Sequence, residues 1–180
     1  MENVPSIMEH GILSHNKSKK LQFRDISKEG VQARRAVKKI PGTNKNLHDY
    51  ANLYFDSHNP MLSARRSVND EICVLRIKND ILELNGVIIT DMNAARDCWF
   101  KTVKEGLPLL DRDEIYTINW KNTDPIKDYR YAGIKCAEVL VPNYVPSGYI
   151  FGAYVANDIA SKKFCKISDI KCIIRNDLFF

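Results

Sequence analysis

The chain has 180 residues, of which 44% are hydrophobic and 27% are charged, with a formal net charge of +5. This composition excludes an intrinsically disordered chain and favours one globular domain over residues 1–180. No run of 18 apolar residues is present, and the first residues lack the basic and apolar regions of a secretory signal. We therefore expect no membrane association and a cytoplasmic protein.

The five cysteines and four histidines are scattered, and no C-x-x-C pair occurs. This spacing predicts ordinary buried thiols in a reducing compartment and gives no support for a bound metal.

The predicted elements are short helices and strands. The first half is expected to form a helix capped by Asn3 and ended by Gly11, a loop over 14–25, a helix over 27–39, an extended segment over 47–55, a helix that begins at Asn59-Pro60, and a strand over 71–78.

The second half is expected to form a buried strand over 86–90, a short helix over 92–100, a long irregular stretch with some helix over 101–135, strands over 137–141 and 149–155, a helix over 157–164, and a last strand over 170–175. Because these elements do not alternate as β-α-β units, they predict an α+β fold. The absence of a Gly-rich phosphate loop argues against a doubly wound nucleotide-binding fold.

The positive charge is concentrated in one segment. Residues 17–39 contain nine Lys and Arg against two Asp and Glu, which gives +7, while the other residues contain 18 against 20, which gives −2. Such a segment attracts nucleic acid, a phosphorylated ligand or an acidic surface, although a solvated basic helix has the same composition.

Glu138 is an unusual residue because it lies in the apolar strand Cys-Ala-Glu-Val-Leu-Val. Strand alternation places it on the same face as Leu140, and Val139 on the opposite face. It is either a catalytic carboxylate at a cleft or a glutamate on a solvent-exposed face, and the residues alone leave both open.

Two further groups are candidates for ligand contacts. Arg34 and Arg35 are adjacent on a predicted helix, so they point about 100° apart, and one could enter a cleft or both could be solvated. The aromatic cluster that includes His48 and Tyr54 could stack on a nucleotide or pack in the core.

Seven blocks in order along the chain carry a family resemblance. They are NVPSIMEHGILSHN (3–16), VQARRAVKKIPG (31–42), LHDYANLYFDSHNPML (47–62), ICVLRI (72–77), GVIITDMNAA (86–95), CAEVLVP (136–142) and LFF (178–180). They resemble the DarT family, toxins that transfer ADP-ribose from NAD to thymidine in single-stranded DNA. The resemblance implies an ADP-ribosyltransferase core with a split β-sheet and peripheral helices, NAD in the cleft, no metal, and a DarG-type macrodomain antitoxin as partner.

The resemblance also implies roles for residues. Glu138 matches the catalytic glutamate, and Arg35 matches a second essential residue that also contacts NAD, with Arg34 as the alternative. The implied NAD contacts are completed by Ser6, Leu13, His48 and Tyr54, and the implied DNA contacts are Arg34, Asn93, Arg130 and Lys135.

Three departures from the family pattern bear on activity. Family members begin with a strand that carries a His-x-Thr motif, and this sequence begins after it; Cys136 stands where many ADP-ribosyltransferases have Gln or Glu; and Asn93 stands where some relatives have His. The alternatives are therefore transfer to guanine, RNA or protein, or an inactive nucleic-acid-binding remnant.

Overall fold

The structure is a computed structural model that describes residues 1–25, 27 and 29–180. The described residues form eight α-helices and nine strands, with short 3₁₀ turns between them. The helices are α1 (Val4–His10), α2 (His15–Ser18), α3 (Glu29–Val37), α4 (Pro60–Ser63), α5 (Val103–Gly106), α6 (Arg112–Tyr116), α7 (Pro125–Ile134) and α8 (Asp158–Phe164). The strands are β1 (Ile12–Leu13), β2 (Tyr50–Tyr54), β3 (Val74–Ile77), β4 (Ile88–Thr90), β5 (Phe100–Thr102), β6 (Glu138–Pro142), β7 (Tyr144–Val145), β8 (Ile150–Val155) and β9 (Cys172–Ile174).

The strands form separate sheets. This arrangement confirms the predicted α+β fold and the split β-sheet that the family resemblance implied. One antiparallel sheet has the order β2-β6-β4-β5, and a second has the order β3-β8-β9, in which β8 and β9 run parallel. β1 and β7 form a short antiparallel pair. Edge strands β2 and β3 both line a cavity of about 520 Å³ between the two larger sheets.

Apolar side chains cover both faces of β6. Val139 and Val141 pack in one cluster with Ile89, whereas Leu140 packs in another with Leu47. The predicted alternation along this strand is therefore confirmed. Because Leu140 is also buried, the face that carries Glu138 is part of the interior. Of the two alternatives that the sequence left open for Glu138, the solvent-exposed face is therefore wrong.

Several predicted elements are present in the structure but span fewer residues than predicted. The predicted helix over 27–39 is α3, and Lys28 lies outside the described residues. Asn59 accepts from the N–H groups of Met61 and Leu62 at the start of α4, as the Asn-Pro pair predicted. Asn3 does not cap α1, because its side chain instead pairs with the backbone N–H and C=O of Arg24.

The region between β4 and β6 departs most from the sequence prediction. The expected helix over 92–100 is wrong, because residues 92–99 form turns that lead into β5. The stretch over 101–135, expected to be largely irregular, contains α5, α6 and α7. Short polar helices of this kind lack a long apolar period, so sequence patterns identify them poorly. The loop predicted over 14–25 likewise contains α2.

Candidate active site

The carboxylate of Glu138 lies in the interior at the first residue of β6, with no exposed surface. β6 is a central strand, and Glu138 faces Tyr54 across the ladder with β2. Its backbone N–H donates to Thr90 Oγ1 at 3.2 Å, and Thr90 Oγ1 donates to the carbonyl of Met92 at 2.7 Å. The end of β4 therefore fixes the point at which the glutamate enters the sheet.

Arg35 is the arginine that meets this carboxylate. Its Nη1 donates to Glu138 Oε1 at 2.9 Å and to Oε2 at 3.0 Å, while Arg34 is exposed on another face of α3. The side chain of Arg35 is 6% exposed. Burial by itself lowers the pKa of Arg35, but the Glu138 carboxylate more than offsets this and leaves that pKa raised. Arg35 is therefore a fixed positive charge.

One buried nitrogen of Arg35 is not satisfied by the protein. Nη2 has no hydrogen-bond partner among the residues that the structure describes. A buried N–H group without an acceptor is costly, so such groups are uncommon outside functional sites. Glu138 Oε2, which accepts only from Arg35 in the described chain, likewise keeps a lone pair. Both atoms therefore have hydrogen-bonding capacity that the described residues do not use.

A turn that precedes β5 supplies the third contact to Glu138. The N–H of Ala94 donates to Oε1 at 3.0 Å. Asn93 shapes this turn, because its Oδ1 accepts from the N–H of Ala95 at 3.0 Å and its N–H donates to the carbonyl of Gly133 at 2.9 Å. These contacts explain why residues 92–99 are not helical. Asn93, predicted to bind DNA, has a structural role here.

Besides Arg35, the implied NAD contact Tyr54 is paired with Glu138 in the ladder between β2 and β6. It lines the cavity between the sheets together with Val139, and its hydroxyl donates to Met61 Sδ at 3.6 Å. Burial, reinforced by the Glu138 carboxylate, raises the pKa of Tyr54 above its ordinary value, so the phenol stays neutral. Arg35, Tyr54 and Glu138 are thus brought together by the fold.

His48 belongs to a second polar group beside α3. Its ring stacks on that of His15 at 4.0 Å between centroids, and its Nε2 lies 3.0 Å from Gln32 Oε1. Burial, with the charges of His15 and Arg35, lowers the pKa of His48 to about 4. The imidazole is therefore neutral near pH 7.

Ser6 and Leu13, both implied to contact NAD, belong to the amino-terminal elements α1 and β1. Ser6 is on α1, and Leu13 pairs with Tyr144 in the ladder between β1 and β7. No hydrogen bond of the described structure joins either residue to Glu138.

Lys135 is not available to DNA, contrary to the sequence prediction. Its ammonium is fully buried and donates to the carbonyls of Ile115 and Thr117, each at 2.8 Å, and to the carboxylate of Asp56. Three acceptors satisfy its three donors, so it ties the carboxyl-terminal end of α6 to the segment that follows β2.

Arg130 is exposed, but its guanidinium is engaged. Nη1 and Nη2 donate to the two oxygens of Glu114 at 2.8 and 3.0 Å. Its contact with DNA stays a prediction, as does that of Arg34.

Sequence reasoning missed several residues of this site. Thr90 gave a usable signal, since a polar residue ends an otherwise apolar buried strand. Ala94 gave none, because it acts through its backbone N–H.

The described residues include no group of three His, Cys, Asp or Glu side chains that could hold a metal ion. Burial raises the pKa of Cys136 to about 12, so this thiol is neutral.

A family model described as "ssDNA thymidine ADP-ribosyltransferase, DarT" matches residues 1–180. The chain belongs to the DarT family. A "DNA ADP-ribosyl transferase-DNA ADP-ribosyl glycohydrolase fusion protein" from Thermosipho africanus (strain H17ap60334) is 30% identical over 174 residues, which cover 89% of this chain. The match spans 42% of that relative, so the chain corresponds to less than half of the fusion protein.

Two solved structures support the fold at the level of the whole chain. Thermus sp. 2.9 DarT in complex with ADP-ribosylated ssDNA has a TM-score of 0.83 and 25% identity, covering 99% of this chain and 91% of its own. Thermosipho africanus DarTG in complex with ADP-ribose also has a TM-score of 0.83 and 25% identity, over 99% of this chain and 49% of its own. The predicted ADP-ribosyltransferase-like core is thereby confirmed.

Among the described residues, no helix is long and apolar enough to cross a membrane.

Proposed function

We propose that this protein transfers a single ADP-ribosyl group from NAD to a thymidine base of single-stranded DNA. The observation that carries the proposal is the buried Arg35–Glu138 pair, found in a chain of the DarT family. Residues 1–180 would act as one catalytic domain, and no metal takes part.

Glu138 is proposed to stabilise the ribose as its bond to nicotinamide breaks. This cleavage builds positive charge on the ribose ring, and a carboxylate beside the ring lowers the energy of that state. The remaining lone pair of Oε2 can accept from a ribose hydroxyl while Arg35 and Ala94 hold the carboxylate in place. Its burial strengthens the effect because water does not screen the charge.

Arg35 is proposed to act on the acceptor base through Nη2. Because a guanidinium does not give up its proton at neutral pH, we assign it the role of a donor to a thymine oxygen or to the developing negative charge on thymine. The thymine nitrogen forms the new bond to the ribose, nicotinamide leaves with the electrons of the old bond, and the thymine proton is released to solvent. General-base action by Arg35 is the competing hypothesis.

The remaining implied contacts are proposed by family resemblance. Ser6, Leu13, His48 and Tyr54 would contact NAD. The exposed Arg34 and Arg130 would contact DNA phosphates, and Asn93 would act near the target base. A strand whose bases are unpaired suits this site, because the acceptor base must leave any stack to reach the buried pair.

A toxin role is proposed with a partner that reverses the modification. The Thermosipho relative joins a transferase and a glycohydrolase in one chain. We infer that this protein is neutralised by a DarG-type macrodomain that removes ADP-ribose from DNA, and that it acts in the cytoplasm, where chromosomal DNA is accessible.

Mass spectrometry of single-stranded oligonucleotides incubated with the protein and NAD tests the proposal. We expect an adduct of one ADP-ribosyl group on strands that contain one thymidine and none on matched strands without thymidine. E138Q should abolish the adduct, whereas E83Q, which changes an exposed carboxylate, should not.

Equal modification of strands without thymidine would replace this proposal with transfer to another base. Modification of RNA alone or of protein alone would replace it with transfer to that acceptor. No adduct on any substrate, with binding of the oligonucleotide retained, would identify an inactive nucleic-acid-binding protein.

A further inference from the structure

Tyr129 is an exposed aromatic residue whose ring rests on a guanidinium. The residue is 64% exposed on α7, and the guanidinium carbon of Arg96 lies 3.9 Å from the centre of its ring. Arg96 Nη1 also donates to the backbone carbonyl of Tyr129. Ile126, one turn earlier on the same helix, is 81% exposed. Core packing therefore does not account for this face of α7.

Arg96 is held in this position from several directions. Its N–H donates to the carbonyl of Asn93 at 2.9 Å, and its own carbonyl accepts from Lys38 Nζ at 3.0 Å. Its guanidinium lies against Gly133, where an added Cβ would fall 2.7 Å from Nη1. A glycine at this position lets the guanidinium lie flat along α7.

Within residues 1–25, 27 and 29–180, the charge of Arg96 has no acidic counterpart. No carboxylate among the described residues lies within ion-pair distance of its guanidinium, in contrast to Arg130, which is neutralised by Glu114. An unneutralised arginine beneath an exposed aromatic ring presents a stacking surface next to positive charge. These are the two features that favour a nucleobase and its phosphate.

The Arg96–Tyr129 stack is linked to the carboxylate of Glu138 through the short segment from Ala94 to Arg96. Arg96 is two residues beyond Ala94, whose N–H holds Glu138. Two residues span at most about 7 Å, and nucleotides along a strand repeat at about 3.4 Å or more. A strand whose target base reaches Glu138 can therefore place a base a few nucleotides away on Tyr129.

We propose that the Tyr129 ring, supported by Arg96, is a stacking site for a nucleobase that flanks the modified thymidine. The inference rests on the proposed function, since it assumes that single-stranded DNA is the substrate. Stacking accepts any base, so this site contributes affinity and position, while the pocket at Arg35 and Glu138 selects the base that is modified.

Fluorescence titration without NAD tests the site directly. The probe is an oligonucleotide with one thymidine and 2-aminopurine at one, two or three positions on either side of it. We expect the wild-type protein to quench the fluorophore at one of these positions. Y129F should retain the quenching, whereas Y129A should lose it and raise Kd for the oligonucleotide about 5- to 150-fold.

A second Arg–aromatic pair in the same chain is the matched control. Phe151 is 42% exposed, and the guanidinium carbon of Arg76 lies 4.3 Å from the centre of its ring, on the separate sheet β3-β8-β9. F151A should leave both the quenching and Kd unchanged. In steady-state assays, Y129A should raise KM for the oligonucleotide and leave kcat within about twofold, because stacking away from the reacting atoms does not change the chemical step.

The outcomes separate this inference from the proposed function. Binding and DNA modification by Y129A at wild-type levels would overturn the stacking site and leave the proposed function intact. Quenching that depends on Tyr129, without any ADP-ribosyl adduct, would support the stacking site and overturn the proposed function. A wild-type protein that binds no single strand would overturn both.

Discussion

Arg35 Nη1 donates to both carboxylate oxygens of Glu138, at 2.9 and 3.0 Å, across 103 residues of sequence. The pair joins helix α3, in the basic amino-terminal segment, to the central strand β6 of the four-stranded sheet. One oxygen also accepts from Ala94, so both catalytic candidates and the turn before β5 meet at one carboxylate.

Removing one member of this buried pair should cost stability as well as activity. E138Q leaves the Arg35 charge in the interior without its partner, which we expect to lower the free energy of unfolding by about 3–5 kcal/mol. The double variant R35M/E138Q should recover part of this loss while remaining inactive. Urea denaturation of the wild type, R35M, E138Q and the double variant measures the coupling free energy between the two side chains. Additive effects of R35M and E138Q on the free energy of unfolding would show that the two groups do not interact.

Arg35→Lys separates charge from geometry. A lysine keeps the positive charge but lacks the planar fork that lets one nitrogen bind Glu138 while the other, in the proposed reaction, would donate to the acceptor base. We expect the rate of transfer to thymidine to fall about 100-fold, the loss typical of removing one preorganised donor. Single-turnover rates at saturating NAD and oligonucleotide measure this, and near-normal turnover would show that charge alone suffices.

Asn93 should act through the turn that aims the N–H of Ala94 at Glu138. N93A removes the acceptor for the N–H of Ala95, and we expect kcat to fall about 5- to 10-fold, as for loss of one hydrogen bond. N93D keeps that acceptor and should keep most of kcat, with a higher KM for DNA because of its negative charge. Equal loss of kcat in N93D and N93A would instead indicate a direct role of the amide at the base.

Lys135 should matter for stability and not for phosphate binding. K135M leaves the Asp56 carboxylate and two carbonyls without their donor, and we expect a loss of about 3–5 kcal/mol in the free energy of unfolding. K104M, at an exposed lysine, should have little effect.

K135M/D56L removes the stranded carboxylate and should recover part of that stability. The salt dependence of oligonucleotide binding by the double variant should match the wild type, because no phosphate contact is lost. A shallower salt slope would restore the original prediction that Lys135 binds DNA.

His48 should make the fold less stable in mild acid. Its pKa is lowered to about 4 in the folded state, chiefly by burial, from an ordinary value of 6.5. Between these values the unfolded chain binds the extra proton, so stability falls as pH decreases from 6.5 towards 4. H48Q should show a smaller fall in the urea midpoint between pH 7 and pH 5, whereas H10Q, at an exposed histidine, should behave like the wild type.

The sequence was informative wherever a local pattern had one physical solution. The apolar run over 137–141 predicted a strand, and the Asn59-Pro60 pair predicted the start of α4. The order of blocks along the chain identified the DarT family and, with it, Glu138 and Arg35. The strand and the helix start depend on neighbours within a few residues, and the order of the blocks is likewise displayed directly by the sequence.

Contacts between residues distant in the sequence determined the features that the sequence did not predict. Which of Arg34 and Arg35 meets Glu138 depends on the orientation of α3 over β6, and helical spacing could only show that the two diverge. The turn at Asn93 forms because its backbone groups bind Glu138 and Gly133, which outweighs the local helix preference of residues 92–100. The position of Lys135 is likewise set by acceptors at residues 56, 115 and 117. The sequence alone thus determined the family, the fold class and the candidate for the catalytic glutamate. Only the tertiary structure determined which polar groups face one another, because their energies depend on burial and on partners distant in the chain.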